Sequence, residues 1–340
     1  MTGDYAAGVH DLGRGCYAYL QPDGSWGLSN AGLVTDGGAA LLVDTLYDLK
    51  LTRRMLDAFR SADPAASRIE TVVNTHGNGD HCYGNQLLKD AAIVATRAAA
   101  EEMAEVPPAK MAGTVQAARV LSRLPWPLGA IPCGRGLVSL RDLGRFIVDR
   151  FGAFEFADID LTPPTVTFSG TMTRRVGGKD VRLIEVGPAH TRGDLLVHVP
   201  EARVVFAGDI LFHCGHPIVW TGPVGNWTRA CDLILEMDVD VVVPGHGPLA
   251  DKAAVREQKR YLEYVAAEAR KRFDAGMPVV KAALDIVLDG FPGWGDPERI
   301  VANVDALYRE LRGDTSVPFP PKLFAMMATV AKARRKSGVK

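Results

Sequence analysis

Two periodicities of apolar residues run along this chain and take turns. Near the N-terminus the short aromatic run Cys16–Leu20 and the run Ala39–Val43 read as strands, with turn signals at Pro22-Asp23-Gly24 and Gly37-Gly38 between them. Asp48 then stands where a helix cap belongs, and Leu49, Thr52, Leu56 and Phe59 fall on one stripe at three-to-four-residue spacing. A β-branched run over Ile69–Val73 follows and ends in the polar loop Thr75-His76-Gly77-Asn78-Gly79-Asp80-His81. Strands return at 181–186, 195–199, 203–207 and 239–243, and Gly177-Gly178 marks a hairpin turn. From 251 to about 273 the pattern is helical, and the remainder to 340 reads as helix with a break at 290–295. Strand, helix and strand in alternation predict an α/β fold, with polar loops at strand ends where such folds place their chemistry.

Residues 97–165 differ in character. They hold the double proline Pro107-Pro108, a helical stretch near 110–124 and a Pro/Gly-rich segment from 125 to 136. They read as a helical insertion, a lid or substrate wall within a domain spanning 1–250; residues 251–340 form a helical extension packed on that domain.

Charge narrows the range of partners. Lys and Arg total 39 against 40 for Asp and Glu, so no net field recruits nucleic acid or an acidic membrane, and a small-molecule substrate is expected. The N-terminus carries no signal-like apolar stretch, and no run reaches the roughly 18 apolar residues of a membrane-spanning helix. The five cysteines (Cys16, Cys82, Cys133, Cys214 and Cys231) are odd in number and lack a C-x-x-C pair, which fits a reducing cytoplasm.

The strongest chemical signal is H-G-N-G-D-H at 76–81, two imidazoles and a carboxylate within six residues, interleaved with glycines that let the loop fold tightly. Histidine and aspartate are first-choice ligands for zinc and similar ions. His190 in V-G-P-A-H-T, Asp209 in V-V-F-A-G-D and His246 in V-V-V-P-G-H-G each follow an apolar strand. With parallel strands these loops meet at one sheet edge, gathering four of the chain's eight histidines. His213 and His216 lie close enough to Asp209 in sequence to support the site or touch substrate, or to be plain loop histidines. Trp126, Trp220 and Trp227 are either walls for an apolar substrate or core residues. Cys82 and Cys214 read as structural thiols.

The ordered set H-x-N-x-D-H, His, G-D and G-H-G, with Asp44 closing an early strand in L-L-V-D-T, resembles the metallo-β-lactamase superfamily over about residues 15–250. The resemblance implies a four-layer αββα sandwich with a metal centre at one end of the sheets. It implies a first site of His76, residue 78 and His190, and a second of Asp80, His81 and His246, with Asp209 bridging and Asp44 supporting the loop. The family's second histidine is Asn78 here, an amide that is a weaker ligand than imidazole. Three occupancies stay open: both sites filled, the second alone, or an ion on His76, His190 and Asp209. The resemblance further implies a zinc hydrolase, with one or two Zn2+ and a metal-bound hydroxide, cleaving an ester, thioester, lactone or amide bond, Asp80 handling the water's proton. Two histidines and a carboxylate are also the triad of non-haem Fe2+, so an oxygenase of the persulfide-dioxygenase type is the alternative. The C-terminal helices are expected to cover the pocket or to form a homodimer.

Overall fold

The computed structural model describes residues 5–125, 130–133, 136–316 and 320–336. Strands β1 (Gly8–Gly13), β2 (Cys16–Leu20), β3 (Ala31–Asp36) and β4 (Ala39–Val43) form an antiparallel run. Helix α1 (Leu49–Ala62) carries the chain to β5 (Ile69–Val73), and the short α2 (Gly79–Cys82) precedes β6 (Ala92–Thr96). β5 pairs parallel to β4 and β6 parallel to β5, as crossover connections require. Asp48 caps α1 by accepting from the Leu51 N–H, and Thr52, Met55, Leu56 and Phe59 make its buried face.

The insertion contains α3 (Arg97–Glu105), α4 (Pro108–Leu121), a hairpin of β7 (Ala130–Cys133) and β8 (Gly136–Ser139), and α5 (Leu140–Phe151). It is therefore not purely helical: the Pro/Gly-rich segment turns into a two-stranded ribbon, because its prolines break helix while a two-residue connection permits antiparallel pairing. Next, β9 (Val166–Phe168) completes the first sheet beside β6.

The second sheet holds β10 (Thr171–Val176), β11 (Lys179–Glu185), β12 (Leu195–Val199), β13 (Val204–Phe212) and β14 (Val241–His246) in that order. The first four are antiparallel and β13–β14 is parallel, so β11, β13 and β14 run the same way and end at one edge. Helix α6 (Val224–Glu236) makes the β13–β14 crossover. Beyond β14 come α7 (Lys252–Asp274), α8 (Val279–Asp285), α9 (Ile300–Arg312) and α10 (Pro320–Lys336).

The period-two alternation sorts side chains into layers. Leu41, Val43 and Val73 from the first sheet meet Leu195, Val197, Val199 and Phe206 from the second between the sheets. Their neighbours Ala40, Leu42 and Val72 face outward onto α1. Leu196, Val205 and Val242 face the other way, onto the C-terminal helices and the insertion. The result is the αββα sandwich. Among the described residues, no helix is long and apolar enough to cross a membrane.

Candidate metal centre

The end of β4 sets the centre's foundation. Asp44 sits in the left-handed region at φ 61°, a conformation aspartate tolerates better than most residues. Three donors hold it there: the Thr75 N–H to Oδ1 at 2.7 Å, the Thr75 hydroxyl to Oδ2 at 2.7 Å and His81 Nδ1 to Oδ2 at 2.9 Å. The loop after β5 is thus tied to the loop after β4, and α2 turns Asp80 and His81 inward. Asn78 is the N-cap residue of α2 but makes no capping bond, which leaves its side chain free.

The second sheet supplies the rest. His190 lies in the loop after β11, Asp209 within β13, and His246 at the last position of β14. Sequence placed Asp209 and His246 past their strands; the β13–β14 ladder instead continues irregularly between Gly208 and Phe212 and keeps both within it. Gly245 makes room for the carboxylate, since a Cβ there would lie 1.9 Å from Asp209 Oδ1.

All four imidazoles follow one rule. Each turns Nδ1 to an acceptor behind it: His76 to Thr75 Oγ1 at 3.1 Å, His81 to Asp44, His190 to the Ile218 carbonyl at 2.7 Å, and His246 to the Gly24 carbonyl at 3.1 Å. The Thr75 hydroxyl gives its own proton to Asp44, so its oxygen accepts from His76. With Nδ1 protonated, Nε2 of each neutral imidazole presents a lone pair.

These Nε2 atoms converge on oxygen acceptors. Asp209 Oδ1 is 3.1 Å from His81; Asp209 Oδ2 is 3.2 Å from His190, 3.6 Å from His246 and 3.8 Å from His76; Asp80 Oδ2 is 3.4 Å from His246. His81 Nε2 and Asp209 Oδ1 are buried and, 3.1 Å apart, have no other hydrogen-bond partner. A buried knot of acceptors lacking donors is costly unless a cation fills it. The sets His76, His81, Asp209 and Asp80, His81, His246 each hold their ligand atoms within 4.8 Å of one another, a donor chemistry suited to a borderline divalent ion.

The titration of the groups follows from the same crowding. Burial pushes His190 down to about 4 and drives His76 well below the ordinary imidazole value, with charge on His81 adding to the latter. Burial also opposes charge on Asp209, yet the four surrounding imidazoles overcome it and hold the carboxyl well below its usual range. His81 goes the other way: burial disfavours its charge, but Asp209 and Asp44 flank both nitrogens and win. A proton on His81 answers the same electrostatic demand as a metal ion, so ion binding would release it.

Other candidate residues fall in varied places. Asn78 Oδ1 lies 3.2 Å from His76 Nε2 and 2.9 Å from His190 Nε2, between the two imidazoles. His213 and His216, which the sequence leaves open between supporting the site and being plain loop histidines, have their side-chain partners elsewhere. His213 turns Nδ1 to the Pro248 and Leu249 carbonyls, and His216 packs against Tyr261 and Trp294. Trp227 is core, fully buried, with Nε1 donating to the Ile210 carbonyl. The Trp220 backbone N–H donates to the His190 carbonyl and its ring lies against Trp26 and Phe324; Trp126 lies outside the described residues. Cys82 is buried and Cys214 exposed. Sequence reading missed Thr75, although it adjoins the metal loop, and Phe212, whose ring stacks on His246 at 5.1 Å. The Gly24 and Ile218 carbonyls carried no sequence signal, since any residue offers one.

Residues 24–246 match the family model described as the metallo-beta-lactamase superfamily, a span containing all six donors. Among solved structures, the chain is similar to the stereoselective inverting sec-alkylsulfatase Pisa1 from Pseudomonas sp., with TM-score 0.62 and 17% identity over 93% of this chain and 52% of that one. This chain therefore spans about half the length of that sulfatase. It is also similar to a metallo-beta-lactamase from Pontibacter korlensis, with TM-score 0.53 and 16% identity over 76% of this chain and 99% of that one. A search of curated proteins returned no match.

Proposed function

The chain belongs to the metallo-β-lactamase superfamily, and on that premise we propose that it is a metal-dependent hydrolase of an ester, thioester, lactone or amide bond in a small molecule. The observation that carries the reading is the inward convergence of four Nε2 atoms and two carboxylates, with every Nδ1 committed to an outer acceptor. Such outer partners fix the tautomer and orientation a metal ligand needs.

His76, Asp80, His81, His190, Asp209 and His246 are the donors available to metal, and zinc suits their mix of imidazole and carboxylate. When bound, the ion supplies Lewis acidity and lowers the pKa of a water it holds to about 7. Asp80 is the donor placed to handle that water's proton. Its side chain is 16% exposed where the other donors stand at 5% or less, so it alone faces the approach. His246 steadies it, and though burial works against the carboxylate, this contact keeps Asp80 ionised. The Gly245 gap, the Asp44–Thr75 brace and the ring of Phe212 hold the ligands in place. The rings of Trp26, Trp220 and Phe324 pack on one another, and the Trp220 backbone N–H on the His190 carbonyl ties this cluster to the loop of His190, where it would offer a wall to an apolar substrate.

The oxygenase alternative needs an ion on His76, His190 and Asp209. The Asn78 amide lies between those two imidazoles, whereas Asp80, His81 and His246 gather without obstruction, which favours hydrolysis. The test is turnover of an ester, thioester, lactone, amide and sulfate-ester panel by metal-free protein reconstituted with zinc or iron. Zinc-restored, chelator-sensitive hydrolysis is expected. Oxygen consumption with iron alone, or no metal binding at all, would overturn the proposal.

A further inference from the structure

Position 78 is where this chain departs from the motif it otherwise carries, and the departure has a structural consequence. The Asn78 amide is the group that sits between His76 Nε2 and His190 Nε2, at 3.2 and 2.9 Å. Both nitrogens are lone pairs, because Thr75 Oγ1 and the Ile218 carbonyl take their Nδ1 protons. An amide oxygen turned toward them meets acceptor with acceptor. A half-turn of the amide puts Nδ2 in the same place, and its two N–H groups then supply one hydrogen bond to each imidazole. Among the described residues, the carboxylate within 4 Å of these nitrogens is Asp209, whose Oδ2 can only accept, 3.2 Å from His190 and 3.8 Å from His76. The side chain is free to do this because it makes no cap bond to α2.

We propose that the Asn78 amide closes the first site by donating to His76 and His190, so that the centre takes a single metal ion, on Asp80, His81, His246 and Asp209. The inference rests on the reading that this cluster binds metal. A second ion would have to break both amide hydrogen bonds and accept in return a neutral oxygen, a poor ligand for a borderline cation. The other set needs no such exchange. It has two carboxylates and two imidazoles, and the orphaned His81 Nε2 and Asp209 Oδ1 both belong to it. In this arrangement His76 and His190 orient Asn78 instead of coordinating, which makes all three positioning residues.

The experiment is metal analysis of the full chain saturated with zinc and desalted, beside Asn78→His, with ¹⁵N spectra of the histidine side chains. One zinc per chain is expected for the native protein and two for Asn78→His. In the native zinc form the Nε2 resonances of His81 and His246 should carry the metal shift, while those of His76 and His190 should report hydrogen-bonded lone pairs. Two ions in the native protein, or metal-shifted His76 and His190, would overturn the inference and leave the hydrolase reading standing. No ion in the native protein would instead remove the metal reading itself. Should Asn78→His fail to fold, the native nitrogen spectra decide alone, and Asn78→Ala should still bind one ion while the His76 and His190 resonances move.

Discussion

Asp44→Asn isolates the brace beneath the metal loop. Asparagine matches aspartate in shape and tolerates the left-handed φ of 61°, so the backbone bears no new strain. What changes is acceptor capacity. Asp44 receives three donors, from the Thr75 N–H, the Thr75 hydroxyl and His81 Nδ1–H. The hydroxyl can rotate to accept, but the other two are fixed, and an amide offers an oxygen to only one of them. If the oxygen stays with Thr75, the amide N–H faces His81 and forces its proton to Nε2, where the lone pair for metal is lost. If it turns to His81, the buried Thr75 N–H is left unpaired, at a cost of about 1–3 kcal/mol. Losing such a supporting contact weakens metal binding by roughly 10- to 100-fold, or about 1.4–2.7 kcal/mol. Competition against a chromophoric zinc chelator measures the affinity, and circular dichroism checks that the fold persists. A folded Asp44→Asn protein whose zinc affinity stays within about twofold of native would refute the argument, because the carboxylate would then not be setting the His81 tautomer.

Gly245→Ala should abolish zinc binding and cost about 1–3 kcal/mol, because its Cβ would meet Asp209 Oδ1 at 1.9 Å and the Gly208 backbone at 2.7 Å; calorimetry that finds native affinity would contradict this. Stripping zinc held at about 100 times its Kd should remove about 2.7 kcal/mol and lower Tm by roughly 5 °C, read by differential scanning fluorimetry. His216 gives an acid-side prediction: burial beside Arg299 holds it down to about 3. Since its folded pKa lies below the unfolded value of about 6.5, its contribution is complete above that pH and is lost as pH falls, about 2 kcal/mol of it by pH 5. Urea titrations at pH 7 and 5 should therefore differ less in His216→Phe than in the native protein, and an equal difference would exclude His216 as the cause. Trp220→Ala should raise KM for apolar substrates with little change in kcat; a fall in kcat alone would place the ring in the chemistry instead.

Local chemistry explains what could be read without coordinates. The strand Ile69–Val73 and the helix Leu49–Ala62 obey short-range rules, β-branched residues in one and a capped apolar stripe in the other, so their existence and faces were legible. The αββα architecture was legible only through the resemblance that the ordered motif carries to the metallo-β-lactamase superfamily, since glycine, histidine and aspartate at those spacings by themselves point to a tight cation-binding loop and not to a layer order. Where the reading fell short, distant contacts decided. The ribbon of 130–133 and 136–139 exists by the pairing of its two strands, and Asp209 and His246 stay within strands because β13 and β14 hold each other in an irregular ladder. His213 and His216 sat near Asp209 in sequence, but strand direction turned them toward Pro248 and Tyr261.

The donor residues, then, were written in the chain as side-chain types, and their order alone pointed to the family. Which nitrogen of each imidazole faces inward was not, since that depends on carbonyls of Gly24 and Ile218 brought from 222 and 28 residues away. Neither was the position of the Asn78 amide against His190, 112 residues further along the chain. Composition can specify which ligands are available; only the packing of two sheets against each other sets their protonation and their reach.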